Sequence, residues 1–229
     1  MMYDITKITR SIESKGFYLG NIETDLLNDI NRSEFYEMRR QALADSQDTD
    51  NLWYMNCIHG HIGNSYPNVI AFNEISERRQ LIKEKNFEVD QQWHWFGNWN
   101  LRFWEELVTP MLKDIYTDLV EGPLRFDSRF SLYKTGDFTR NHIDTQTKDR
   151  YCVVLIYLTD AAEYNDGSGE LILYESKDSV EKTVIVPLFP NYVILDIHTH
   201  GVFHEVLEVK NNFSRLAFLS FIHKGVLLV

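Results

Sequence analysis

Leu124-Arg125-Phe126-Asp127-Ser128-Arg129-Phe130-Ser131-Leu132-Tyr133, followed by Lys134-Thr135-Gly136-Asp137-Phe138-Thr139-Arg140-Asn141-His142-Ile143-Asp144, decides how this chain is read. The first ten residues are β-rich, so the His-x-Asp pair sits near a strand end. Residues i and i+2 of an extended segment point to the same side, which lets His142 and Asp144 grip one ion. A second histidine must then come from another strand facing the same cavity, and Phe203-His204-Glu205-Val206 supplies it. Two imidazoles and one carboxylate form the facial set that holds a non-haem Fe(II) and leaves positions open. A structural zinc site would instead be closed by four protein ligands.

Working outward, further β-rich runs follow at Arg150–Leu158, Gly169–Tyr174, Thr183–Val186, Tyr192–Leu195, Phe203–Val209 and Phe213–His223. Turn chemistry such as 165–169 and 210–212 separates them. Several strands at short spacing indicate a sandwich or barrel. The first half reads as mostly helical. Thr24–Leu43 has helical spacing with Thr24 as its N-cap, Ile75–Lys85 reads as a charged surface helix, and Asn100–Val120 has one apolar face, with Pro110 predicting a kink or break. The expectation is an α+β chain with a jelly-roll core, residues 122–229, braced by a mainly helical part, residues 1–121, in a single domain 1–229.

Composition narrows the function classes. The chain has 229 residues, 44% hydrophobic and 25% charged, enough for one good core. Net charge is −11, a poor match for nucleic acid. No apolar run approaches the ~20 residues of a membrane span, and the N-terminus lacks the apolar core of a secretory signal. Cys57 and Cys152 have no metal-site spacing. A reducing cytoplasm is the expected location. Gly122–Arg150 leans basic, with six Lys or Arg against four Asp, so Arg140 is a candidate anchor for a substrate carboxylate. Trp93-His94-Trp95-Phe96-Gly97-Asn98-Trp99 offers aromatic walls with hydrogen-bonding tips, making His94, Trp95 and Trp99 candidate substrate contacts. Residues 53–64 have the composition of a lid-like loop.

From Arg129 to His223 the order and spacing resemble the Fe(II)/2-oxoglutarate oxygenases, within them the prolyl-hydroxylase-like branch. The matching features are Tyr-x-x-Gly-Asp before His142-x-Asp144, Ile156-Tyr157-Leu158, Gly167-Ser168-Gly169-Glu170-Leu171, a turn at Pro187, His204-Glu205-Val206, and Arg215 eleven residues after His204. The resemblance implies a double-stranded β-helix and an enzyme using Fe(II), 2-oxoglutarate and O2, with ascorbate as an accessory reductant. It implies that His142, Asp144 and His204 hold the metal and that Arg215 pairs with the far carboxylate of 2-oxoglutarate. Tyr133 and Tyr157 would donate hydroxyls to the same molecule. Gly167-Ser168-Gly169 replaces the more usual paired glycines, and Ala217 stands where some related oxygenases carry a hydroxyl. His198 and His200 crowd the region before His204, but only His204 has the Glu-Val context. The expected outcome is hydroxylation of an unactivated C–H of a small amino-acid-like metabolite or a peptidyl residue. A non-catalytic metal- or 2-oxoglutarate-binding sensor of the same fold is the alternative. The sequence leaves the oligomeric state open.

Overall fold

The computed structural model describes residues 3–47, 55–61, 70–72, 88–96, 101–116, 124–144, 149–164, 167–175, 180–210 and 212–225. In the first half these form α1 (Ile5–Lys15), β1 (Phe17–Asn21), α2 (Ile22–Asp25), α3 (Arg32–Asp45), β2 (Met55–His61), β3 (Ile70–Phe72), β4 (Glu88–Phe96) and α4 (Leu101–Ile115). The second half contributes β5 (Leu124–Tyr133), β6 (Phe138–His142), β7 (Arg150–Tyr157), β8 (Leu171–Tyr174), β9 (Lys182–Ile185), β10 (Asn191–Asp196), β11 (Phe203–Val206) and β12 (Arg215–Lys224). Among the described residues no helix is long and apolar enough to cross a membrane.

Every strand pairing is antiparallel. One layer runs β1-β10-β7-β12-β5 and the other β6-β11-β8-β9, with β4 between them. β4 turns the corner: His94–Phe96 pair with β5, and Gln91–Gln92 pair with β6. The result is the α+β jelly roll expected from the sequence.

Period-two alternation sorts the side chains of the first layer to two faces. Cys152, Val154 and Ile156 of β7, Phe130 and Leu132 of β5, and Leu216 and Phe218 of β12 pack on one side against Ile8, Phe35, Trp104, Val108 and Met111. Val153, Leu155, Tyr157, Val193, Leu195 and Ala217 face the other way, toward Leu171, Leu173 and Val206 of the second layer. Each central strand is therefore apolar on both faces, and the helices cover what would otherwise be an exposed sheet. Trp104 anchors that cover, with ring contacts to Phe35 (5.4 Å), Phe130 (5.9 Å) and Phe218 (5.8 Å) and no exposure. Trp104→Ala is expected to cost about 3–5 kcal/mol, read as a lower urea midpoint at unchanged slope.

The first half departs from its sequence reading in three ways. The helix expected from Thr24 begins at Arg32 instead. Asn28 and Asn31 explain the break: the Asn28 side-chain carbonyl accepts from the Ile30 and Asn31 amides, and Asn31 Oδ1 accepts from the Asn28 amide. Such local bonds compete with the helix for backbone donors. α4 runs through Pro110 as one helix, so the break, one of the two expected outcomes, does not occur. Most consequentially, the half is not built of helices and loops alone, because β1, β2, β3 and β4 join the sheet. Residues 55–61, within the stretch read as a lid-like loop, are strand β2, hydrogen-bonded to β3 and β4; 53–54 and 62–64 lie outside the described residues, as do 75–85.

Candidate metal centre and co-substrate cavity

β6 and β11 are antiparallel neighbours, and their register sets His142 opposite His204. The two imidazole centroids are 4.3 Å apart. Asp144, just past the end of β6, places Oδ1 3.9 Å from His142 Nε2 and Oδ2 3.8 Å from His204 Nε2. One ligand atom from each of the three residues lies within 4.8 Å of the others. His198 and His200 are outside this cluster. Both are exposed, His198 stacked on Tyr151 at 4.6 Å and His200 in a turn whose amides are held by Asp196 Oδ2.

The tautomers suit a metal. His142 Nδ1 lies 2.9 Å from the Arg140 carbonyl and His204 Nδ1 lies 2.8 Å from the Val202 carbonyl. A carbonyl can only accept, so each Nδ1 carries the proton and each Nε2 keeps a lone pair toward Asp144. Burial, and then the neighbouring His204, push His142 down from 6.5 to about 4. It is therefore neutral at pH 7, the form that ligates. Two such imidazoles and a carboxylate fit Fe(II).

A β-bulge aims the wall beside them. His204 faces His142 while Val206 faces Thr139, so two steps on β11 match three on β6. The extra residue reverses the parity of β6 and brings Thr139 and His142 to the same cavity face. It also corrects the expectation for Arg140, which is exposed, near the Phe138 ring (6.0 Å), and does not line the cavity. Thr139, not singled out from the sequence, lines the cavity and is hydrogen-bonded to the Tyr133 hydroxyl at 2.9 Å.

The cavity measures about 420 Å³ and is lined by the three candidate ligands, Tyr133, Thr139 and Arg215 among others. Arg215 opens β12 opposite Tyr133 and is 1% exposed. Its guanidinium lies 4.8 Å from the Tyr133 ring and 5.1 Å from the Tyr157 ring, and donates a long bond of 3.4 Å to the Tyr157 hydroxyl. Its Nε has no hydrogen-bond partner, and among the described residues no carboxylate pairs with it. A buried charge without a counter-ion is costly; a carboxylate ligand is what such a group fits. Tyr157 does not line the cavity, so it backs the guanidinium, a correction to its expected direct contact. Burial is the leading cause that raises both tyrosines above the usual phenol value, and both stay protonated.

Gly169 lets Arg215 pass. Its φ is +74°, and a Cβ there would come 3.0 Å from Val209 Cγ2 and 3.3 Å from Arg215 Cδ. Gly169→Ala is expected to destabilise the fold by more than ~1 kcal/mol and to weaken 2-oxoglutarate binding, both measurable by thermal shift with and without the acid.

Trp95 lies opposite Ser131 on the cavity face and lines the cavity. His94, one residue earlier, lies opposite Leu132 on the face toward the helices. Its Nε2 sits 3.0 Å from Asp137 Oδ2, so it holds the β5–β6 turn and is not a cavity residue. Trp99 lies outside the described residues.

Fold and site together define a jelly-roll core with a candidate metal centre. Residues 128–223 match the family model described as the 2OG-Fe(II) oxygenase superfamily. By that match residues 128–223 are similar to the Fe(II)- and 2-oxoglutarate-dependent oxygenases, and the fold resembles that of the prolyl hydroxylases. Among solved structures it is similar to a prolyl-4-hydroxylase from Pseudomonas putida, at 15% identity and TM-score 0.58, covering 96% of this chain and 98% of that one. It is also similar to a prolyl hydroxylase from Trichoplax adhaerens in complex with a hypoxia-inducible-factor peptide, at 16% identity and TM-score 0.60, covering 96% and 89%. IDO from Bacillus thuringiensis is similar at 16% identity and TM-score 0.55, covering 97% of both chains. No curated protein matches the chain.

Proposed function

We propose that the chain hydroxylates an unactivated C–H of a small amino-acid-like metabolite or a peptidyl residue, with His142, Asp144 and His204 holding Fe(II) and Arg215 holding the distal carboxylate of 2-oxoglutarate. One observation carries the reading: a three-ligand cluster and a buried arginine with no carboxylate partner among the described residues line the same cavity. When bound, iron and 2-oxoglutarate supply the oxidative chemistry, converting the co-substrate and O2 to succinate and CO2 and leaving one oxygen atom on the substrate.

The protein's own residues do the positioning. Arg215 presents a planar fork that a carboxylate can meet with two charge-assisted bonds. Tyr133 and Tyr157 flank the guanidinium and fix its plane. The Arg140 and Val202 carbonyls hold the imidazoles in the ligating tautomer. Asp144 supplies the carboxylate that closes the third protein position, which favours hydroxylation over halide transfer. Val153, Leu155, Leu171, Leu195 and Val206 give an apolar lining that keeps bulk water from the centre. The Trichoplax prolyl hydroxylase, in complex with a peptide fragment, supports a peptidyl residue as one of the two substrate classes. A substrate screen with Fe(II), 2-oxoglutarate and O2, read as succinate formed together with an oxygenated product, tests the proposal. Succinate with no oxygenated product from any amino acid or peptide would argue against hydroxylation.

A further inference from the structure

Beyond the metal cluster and Arg215, the cavity wall carries two more arginines that the chemistry above does not use. Arg129 and Arg150 both line it, together with Trp95 and Phe221. Arg129 stands opposite Leu219, on the same β5 face as Ser131 and Tyr133. Arg150 reaches the cavity through a second bulge. Val153 lies opposite Phe221 and Cys152 opposite Ile222, but Arg150, not Tyr151, lies opposite His223. Tyr151 is the extra residue. With regular alternation Arg150 would share the face of Cys152 and Val154, against the helices.

The four side chains form an alternating stack. Arg129 lies 5.7 Å from the Trp95 ring and 5.8 Å from the Phe221 ring, and Arg150 lies 4.4 Å from Phe221. Stacking fixes a guanidinium's plane while leaving its N–H edge for a ligand. One edge of Arg129 is taken by Asp127, at 2.8 Å, but its Nε is buried with no hydrogen-bond partner. Such orphaned donors are uncommon in native structures. Among the described residues lining the cavity, three arginines face a single carboxylate, Asp144, and that one belongs to the metal set.

The geometry points to a carboxylate subsite, built by Arg129 and Arg150 around Phe221, that selects small substrates bearing a free carboxylate. It deepens the hydroxylase reading and rests on it, because that reading reserves Arg215 for 2-oxoglutarate. A small acid is favoured over a peptide because the cavity of about 420 Å³ must also hold the co-substrate.

The test uses the Fe(II)-loaded protein with 2-oxoglutarate and O2. The candidates are the free proteinogenic L-amino acids, the matching carboxamides, and a proline-containing peptide with blocked ends. At least one free acid should stimulate succinate formation, with its carboxamide poorer by about tenfold or more in kcat/KM. Arg150→Gln and Arg129→Gln should each raise KM for that acid by a similar factor, with kcat changed less, and should shrink the acid-over-amide preference. Arg150→Lys, which keeps the charge and loses the fork, should fall between. Calorimetric titration of the same acid into metal-free protein should show the same order of affinities, with 2-oxoglutarate binding as the folding control. Equal use of acid and amide, a preference that survives both substitutions, stimulation by the blocked peptide alone, or stimulation by nothing in the panel would each overturn the subsite while succinate formation leaves the oxygenase reading standing. If no condition yields Fe(II)-dependent succinate, the reading beneath it falls and the subsite falls with it.

Discussion

His204→Ala will lose Fe(II) binding and 2-oxoglutarate turnover together, while His200→Ala and His198→Ala keep both. His204 is one of three groups whose ligand atoms converge within 4.8 Å, and removing it leaves two ligands where a facial set needs three. Loss of a partner that merely orients a ligand costs about 10–100-fold in metal affinity, so loss of the ligand itself should exceed that. His198 and His200 are exposed on the turn that precedes β11, where alanine removes little beyond a ring stacked on Tyr151. Equilibrium Fe(II) binding under anaerobic conditions, with succinate formation measured in parallel, separates the three variants. Metal binding retained in His204→Ala and lost in His200→Ala would reverse the assignment.

Arg215→Ala is expected to weaken 2-oxoglutarate binding by well over tenfold, and Arg215→Lys by about tenfold, equivalent to ~1.4 kcal/mol. The lysine result is the sharper one. Lysine keeps the charge but cannot present two parallel donors, and it loses the planar stack between Tyr133 and Tyr157. The Ala variant removes a buried cation with no carboxylate partner among the described residues, so the fold itself should not suffer, and its thermal midpoint without 2-oxoglutarate should match or exceed that of the parent. A variant that binds 2-oxoglutarate as tightly as the parent removes Arg215 from the site.

The convergence of His142, Asp144 and His204 was legible because its information is local: a His-x-Asp at a strand end and a His in a second strand. The β-rich runs of the second half were legible for the same reason, their borders shifting by at most three residues. What escaped depends on pairing between distant segments. The bulge in β6 turns Arg140 outward and Thr139 inward, and only the register against β11 reveals it. The bulge in β7 that brings Arg150 to the cavity is equally invisible without β12. Arg129 could have been found, since it lies four residues before Tyr133 on one strand and period two puts both on one face. β4 escaped because Gln91 and Gln92 give it no apolar alternation to read. Its side chains answer to two partners, β5 and β6, at a corner of the sheet. The same corner explains His94, which the parity of β4 sends toward Leu132 and Asp137 while Trp95 enters the cavity.

One cavity is expected to hold Fe(II) on His142, Asp144 and His204 and 2-oxoglutarate on Arg215. The most direct measurement is succinate formation by the purified protein supplied with 2-oxoglutarate and O2, with and without Fe(II), in the parent and in Asp144→Ala. Succinate is expected to require added Fe(II), to be abolished by a chelator, and to be lost in Asp144→Ala. Succinate formed at the parent rate by Asp144→Ala, or none formed by the parent with Fe(II) present and candidate substrates supplied, would contradict this assignment.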